Sequence, residues 1–270
     1  MHNREKIFME RLDQGLVRRG LLPSREKAKA AIQEGAVRVN GLEERRPSRA
    51  VTEEDTLSLE NASALRYVGR GSMKLLKALD VFGISVAGLR CLDIGASTGG
   101  FTQVLLERGA SRVAAVDVGA GQLAQSLRED SRVVNLEQTD VRALTQSQVG
   151  QVDFVCADVS FISLRHILPH LAALLKEESH AVCLLKPQFE VGPGRVKKGI
   201  VKDPGAHVSA IEEAADSARQ AGFQLCGITH SPIRGGEGNI EYLLHIYSGT
   251  YNQFVPRTEE TVRLAWEEFR

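Results

Sequence analysis

The sequence predicts an α/β protein: a seven-stranded, mostly parallel sheet ending in an antiparallel hairpin, preceded by a small α+β domain. Three observations predict it. Seven short apolar runs, at 90–94, 112–117, 133–137, 154–158, 181–185, 223–229 and 241–247, alternate with stretches of helical character. That alternation argues for a parallel sheet covered by helices on both faces. Only residues 231–239 separate the last two runs, too few for a helical crossover, so this pair is antiparallel. The first fifty residues are different, with two short amphipathic stretches followed by a tight-turn signal.

Composition is that of a folded soluble chain. Of 270 residues, 43% are hydrophobic and 25% charged, enough for two domains with a sizeable core. The formal net charge is zero, so an interaction with nucleic acid has to rest on local charge. No apolar run approaches the length of a membrane span, and the N-terminus lacks the apolar core of a secretion signal. Cys91, Cys156, Cys183 and Cys226 all lie in apolar runs without C-x-x-C spacing. They read as buried thiols in a reducing cytoplasm. No metal site is predicted.

In the first segment, Phe8, Leu12, Leu16 and Val17 recur at helical spacing, and Gly20 ends that helix. Ser24 caps a second helix over 25–34, which Gly35 closes. Residues 37–39 form a short strand, Asn40-Gly41 is a hairpin turn signal, and Val51 and residues 56–59 supply further strand. This gives a domain over 1–60. Residues 1–50 hold twelve Lys or Arg against seven Asp or Glu. Arg11, Arg18, Arg19, Arg25, Lys27 and Lys29 fall on or beside the two helices. Charge alone fits a solvated helix surface as well as an RNA-binding face. The run Arg11-Leu12-Asp13, Leu16-Val17, Arg19-Gly20-Leu21, Ser24-Arg25, Ala28, Ile32, Gly35, Val37 and Val39-Asn40-Gly41 resembles the small RNA-binding domain named after ribosomal small-subunit protein four. The resemblance implies that Arg11, Arg18, Arg19, Arg25 and Lys29 contact structured RNA.

Residues 61–66 read as a linker. A new helix begins at Tyr67 and carries Lys74 and Lys77. Arg66 and Arg70 flank this junction and join the candidate RNA contacts. The second domain spans 67–270.

The glycine-rich stretch 91–102 is the centre of that domain. Residues 91–94 form a buried strand, Gly95, Gly99 and Gly100 mark a sharp turn, and a helix starts at Phe101. Strand, glycine turn and helix open a nucleotide-binding unit. The spacing is not the dinucleotide G-x-G-x-x-G. Asp93 sets a carboxylate beside the turn, which suits a cationic cofactor better than a pyrophosphate. Asp117 and Asp158 end the runs 112–117 and 154–158, and Asp140 follows the run between them. Asp117 is placed to accept hydrogen bonds from ribose hydroxyls. The pattern D-x-G-x-x-x-G resembles the S-adenosylmethionine loop of class I methyltransferases, which have a Rossmann-like sheet. The resemblance assigns to that cofactor Asp93, Gly95, Ala96, Ser97, Thr98, Gly99, Gly100, Phe101, Asp117, Val118, Asp140 and Asp158.

Lys186 ends the fifth run just before Pro187, which breaks the strand. It is therefore not on a solvated helix face, and Asp158 ends the neighbouring strand. Because the last strand runs antiparallel, its first residue, Glu241, reaches the same rim. Either Lys74 or Lys77 could fold over that rim, and spacing does not choose between them.

Lys74, Asp158, Lys186 and Glu241 match in order the Lys-Asp-Lys-Glu tetrad of FtsJ-like ribose 2′-O-methyltransferases. The blocks 91–102, 116–124, 158–163, 186–190 and 238–241 resemble the TlyA (hemolysin A) family of ribosomal RNA methyltransferases. One departure is Gly69-Arg70-Gly71-Ser72, where that family has Ser-Arg-Gly-Gly. The resemblance implies ribose 2′-O-methylation of ribosomal RNA by a cytoplasmic enzyme using S-adenosyl-L-methionine. It places Lys186 nearest the reacting hydroxyl, with Lys74, Glu241 and Asp158 setting its charge and position. The partner is ribosomal RNA or a ribosomal subunit, with no membrane and no protein partner evident.

Three other functions fit the sequence less well. A cytolysin would need a membrane span or a strongly amphipathic apolar stretch, and neither is present. A non-catalytic RNA-binding protein would not need an intact tetrad. A base-amine methyltransferase would carry an Asn-Pro-Pro-Tyr-like motif where this chain has Asp158-Val159-Ser160-Phe161. Finally, residues 189–199 carry two close glycines, a proline and the cations Arg195, Lys197 and Lys198. They are expected to have no stable helix or strand and to act as a mobile lid that orders on RNA.

Overall fold

The computed structural model describes residues 9–22, 24–33, 35–59, 67–250 and 256–270. The chain forms two compact units that part between Arg70 and Gly71. The expected linker 61–66, with Arg66, lies outside the described residues.

In the first unit, strand β1 (Met9–Arg11) leads into helix α1 (Leu12–Arg18). Then follow α2 (Arg25–Gln33), β2 (Val37–Val39), β3 (Leu42–Glu43), β4 (Ala50–Thr52) and β5 (Leu57–Leu59). Strand β1 pairs antiparallel with β4, and β2 lies between β3 and β5. The helical periodicity predicted from Phe8 onward is corrected here, because residues 9–11 are strand. Their partner is some forty residues downstream, and local periodicity carries no trace of it. The Asn40-Gly41 turn has φ of 55° and 81° and joins β2 to β3 as a two-residue hairpin. Leu12, Leu16, Ile32, Val37, Val39 and Val51 are fully buried and form one core.

The second unit begins with α3 (Ser72–Phe82). The helix expected from Tyr67 starts only at Ser72, since Gly69 and Gly71 are costly inside a helix. Next come β6 (Arg90–Ile94), α4 (Gly100–Glu107), β7 (Arg112–Val116), α5 (Gln125–Arg128) and β8 (Val133–Leu136). They are followed by α6 (Gln146–Val149), β9 (Val152–Ala157), α7 (Leu168–Leu174) and β10 (Leu175–Leu185). The chain continues through α8 (Pro187–Glu190), α9 (Pro204–Gln220), β11 (Gln224–His230), β12 (Tyr242–Ser248) and α10 (Thr258–Glu268).

The seven strands β6 to β12 lie in the order β11-β12-β10-β9-β6-β7-β8. Strand β12 is antiparallel to both its neighbours, and the other pairings are parallel. Central strands read as unbroken apolar runs because both faces are covered: Leu92, Val155, Ala181, Val182 and Leu185 are all fully buried. Strand β10 starts earlier than predicted. Its polar stretch 176–179 hid the extension, which also contains a register shift between Leu175 and His180.

Register fixes what meets at the carboxyl rim. Ile94 pairs with Ala157, so Gly95 falls opposite Asp158. Leu185 pairs with Tyr242, so Lys186 falls beside Glu241.

Candidate active site

The four strand-end and helix residues singled out from the sequence come together as a chain of alternating charge. Nζ of Lys74, on α3, stands 2.8 Å from Oε2 of Glu241 and 3.3 Å from Oδ2 of Asp158. The other oxygen of Asp158, Oδ1, is 2.6 Å from Nζ of Lys186. Nζ of Lys186 also donates to Oγ of Ser160 at 2.8 Å. Lys74, Lys186 and Glu241 are buried. Burial opposes the charge on Lys74, but the Asp158 and Glu241 carboxylates outweigh it and hold the ammonium above its ordinary pKa. Burial likewise works against ionised Asp158, but Lys74 and Lys186 prevail and hold it below the ordinary carboxylate value. Lys77, the alternative to Lys74, points elsewhere: its Nζ is 3.3 Å from Nδ1 of His230.

Two glycines make the close approaches at this rim. A Cβ on Gly95, where φ is 80°, would overlap the carbonyl oxygen of Asp158. A Cβ on Gly235 would overlap Oε1 of Glu241. Gly235 drew no attention in the sequence, where only its pairing with Gly236 marked it.

Beside the charged chain lies a cavity of about 670 Å³. Of the residues assigned to a cofactor, Gly95, Ser97, Asp117, Val118, Asp140 and Asp158 line it. Asp117 accepts hydrogen bonds from the backbone N–H of Ser97 (2.8 Å) and of Gly119 (2.7 Å). Asp140 caps a short turn and pairs with Arg142, which takes its carboxyl down to about 2. Gln122, Ser160, Phe161 and Ile162 also line the cavity and were not assigned from the sequence. Gln122 accepts from Oγ of Ser97 at 3.1 Å.

Asp93, Ala96, Thr98, Gly99, Gly100 and Phe101 do not line the cavity itself. Asp93 is fully buried, and it accepts from Oγ1 of Thr102 at 2.6 Å. Burial pushes its carboxyl up to about 7, against the opposing hydrogen bonds from Thr102 and Cys156. It fastens the first turn of α4 to β6. Gly99, with φ of 95°, packs where a Cβ would strike Leu127. Ala96 and Phe101 belong to the core.

Residues 189–199 carry more local structure than expected. Helix α8 covers 187–190, a 3-10 turn covers Pro193–Arg195, and Lys197 bridges Ile200. Buried Asn239 donates to the Gly199 carbonyl and accepts from the N–H of Val201, pinning the far end. At the near end the Phe189 ring sits 5.1 Å from that of Phe161, and Glu190 accepts from Ser163 and from the N–H of Leu164. Arg195, Lys197 and Lys198 are exposed.

The first-unit cations are mostly engaged within the unit. Arg11 and Arg25 both pair with buried Asp13, Arg18 pairs with Glu10, and Arg19 donates to the carbonyls of Thr52 and Asp55. Lys27 and Lys29 are exposed on α2, and Arg70 is half-buried.

This sheet order, with a cavity and a largely buried Lys-Asp-Lys-Glu chain at its carboxyl rim, defines an FtsJ-like methyltransferase, and the model of that family matches residues 67–247. The S4 domain matches residues 10–57. The chain belongs to the TlyA family, whose members join these two domains. It is 48% identical over 242 residues to the 16S/23S rRNA (cytidine-2′-O)-methyltransferase TlyA of Mycobacterium tuberculosis, covering 89% of this chain and 90% of that one. It is 41% identical over 238 residues to Hemolysin A of Brachyspira hyodysenteriae, covering 87% and 98%. A solved structure from Streptococcus thermophilus, of a protein described as a hemolysin, superposes with a TM-score of 0.78 at 41% identity and covers 97% of both chains. Among the described residues, no helix is long and apolar enough to cross a membrane.

Proposed function

We propose that this protein transfers a methyl group from S-adenosyl-L-methionine to a ribose 2′-hydroxyl of ribosomal RNA. The observation that carries the reading is the unbroken chain Glu241–Lys74–Asp158–Lys186 beside a carboxylate-lined cavity. The cavity fits the cofactor's chemistry. Asp117 and Asp140 offer acceptors for hydroxyl and amino groups, Val118 and Ile162 offer apolar surface, and Asp158 sets a negative charge against a cation. When bound, the cofactor supplies an activated methyl group on a sulfonium.

The chain's own residues then have to orient a poor nucleophile and take its proton. Lys186 is the group we assign to the 2′-hydroxyl, as base or hydrogen-bond director. Asp158 fixes the Lys186 amine from one side. Lys74 balances the buried Glu241 carboxylate and the half-buried one of Asp158, so that Asp158 stays ionised beside it. Most of the rate gain comes from this positioning.

We assign residues 1–60 to RNA affinity, residues 61–66 to a linker and residues 67–270 to chemistry, with the enzyme acting in the cytoplasm on ribosomal RNA. Arg195, Lys197 and Lys198 extend the RNA contact at the rim. Greater hydrogen-exchange protection of 189–199 with RNA than without it would support that extension, and equal protection would remove it. The central test maps 2′-O-methyl groups in ribosomal RNA from cells lacking the protein, complemented with wild type or Lys186→Ala. A ribose methyl restored by wild type and not by the variant is expected. Restoration by both would remove Lys186 from the mechanism. Calorimetry should show S-adenosylmethionine binding that Asp117→Ala weakens greatly, whereas tight NAD binding in its place would overturn the cofactor assignment.

A further inference from the structure

The Lys186 amine has two protein partners, and only one of them belongs to the charged chain. Besides Oδ1 of Asp158 at 2.6 Å, it reaches Oγ of Ser160 at 2.8 Å. An amine on a saturated carbon has three further positions, arranged tetrahedrally. Asp158 and Ser160 occupy two of them as acceptors, and the third is left for a substrate hydroxyl. In the unprotonated amine both N–H bonds point at these acceptors, so the lone pair takes the remaining position. Removing one acceptor lets the lone pair occupy either of two places.

The backbone around Ser160 is shaped for this contact. Phe161 has φ of 64°, a left-handed conformation that costs a residue with a Cβ about 1 kcal/mol or more and that clusters at functional sites. That turn leaves the Ser160 hydroxyl on Lys186 while the Phe161 ring stays 90% exposed against Phe189. The loop after β9 is thus tied to the loop after β10 by a polar contact at Ser160 and a ring contact at Phe161.

We propose that Ser160 is a positioning residue for methyl transfer, holding the Lys186 amine so that one direction alone is open to the ribose hydroxyl. This rests on the function proposed above. During transfer, the 2′-oxygen forms its bond to the methyl carbon as the carbon–sulfur bond breaks. In the resting site Lys186 is the ammonium paired with Asp158 and releases one proton to solvent before transfer; the hydroxyl proton then passes to the Lys186 lone pair, and the restored ammonium keeps Asp158 and Ser160 as its acceptors.

The test compares wild type, Ser160→Ala, Ser160→Thr and Lys186→Ala in single-turnover methylation of ribosomal RNA, with cofactor affinity, RNA affinity and melting temperature measured alongside. Ser160→Ala is expected to lower the transfer rate by about ten- to a hundredfold, the scale of a misplaced catalytic group. Both affinities and the melting temperature should stay at wild-type values. Ser160→Thr, which keeps the hydroxyl, should recover most of the rate. A wild-type rate in Ser160→Ala, with Lys186→Ala inactive, would overturn the Ser160 proposal alone. Ser160 also lines the cavity, so loss confined to cofactor affinity would overturn the proposal too, by making its role a contact to the cofactor and not to Lys186. An active Lys186→Ala protein would instead overturn the function proposed for the site.

Discussion

The carbonyl oxygen of Asp158 fills the place that a Cβ on Gly95 would need. The loop after β6 and the end of β9 therefore touch backbone to backbone, and φ of 80° at Gly95 adds a second demand for glycine. Gly95→Ala has to push Asp158 away from Lys74 and Lys186. It is expected to lose methyl transfer and to melt several degrees lower. Wild-type activity in this variant would show that the approach is not needed.

Glu241 is buried and has Lys74 as its cation, whereas Lys74 also pairs with Asp158. Lys74→Ala and Glu241→Ala are each expected to abolish transfer. Lys74→Ala, which leaves the Glu241 carboxylate uncompensated, should cost about 3–5 kcal/mol of stability, and Glu241→Ala, which leaves Lys74 paired with Asp158, should cost less. Urea unfolding measures the stability. The double variant Lys74→Met with Glu241→Leu should recover part of that stability and none of the activity.

Asp93 makes stability depend on pH in a defined direction. Its carboxyl is pushed up to about 7 by burial, while in the unfolded chain it titrates near 4. Between these values the native state keeps a proton that the unfolded state has released. Its contribution is present at low pH and is lost as pH rises through about 7. Wild type minus Asp93→Asn, compared by chemical unfolding at pH 5 and pH 8, should shift against the wild type at pH 8. A difference independent of pH would show that Asp93 is ionised in the fold.

Arg19 and Lys29 should separate stability from RNA affinity. Arg19 binds two backbone carbonyls, and hydrogen bonds to charged groups contribute about 1.5–3 kcal/mol. Arg19→Ala is expected to unfold the first unit more readily. Lys29→Ala should leave stability unchanged and lower the slope of RNA affinity against salt by about one phosphate contact. An unchanged slope would place the RNA contact elsewhere.

The central strands were legible because they are buried on both faces and read as apolar runs. The antiparallel finish was legible from loop length alone, and with it the meeting of Glu241 with Lys186. What escaped depended on partners far along the chain. Strand β1 takes its identity from β4. The choice of Lys74 over Lys77 depends on which side of α3 faces β12, and spacing of three residues on one helix does not contain that. The position of Asp93 beside the glycines is visible in the sequence, and its hydrogen bond to Thr102 is not. Ser160 and Gly235 are small residues whose roles exist only through a neighbour brought in by the sheet.

Asp158 is both a wall of the cavity and the bridge between two lysines. A cation in the cavity and the two ammonium groups all draw on one carboxylate. Occupancy of the cavity and alignment of Lys186 are therefore thermodynamically linked, and linkage is reciprocal. Whatever factor a bound cofactor applies to the affinity for RNA, bound RNA applies to the affinity for cofactor. On the function proposed above, exchange of spent for fresh cofactor, which differ by the sulfonium charge, would then double as the signal that loosens or tightens the grip on the RNA.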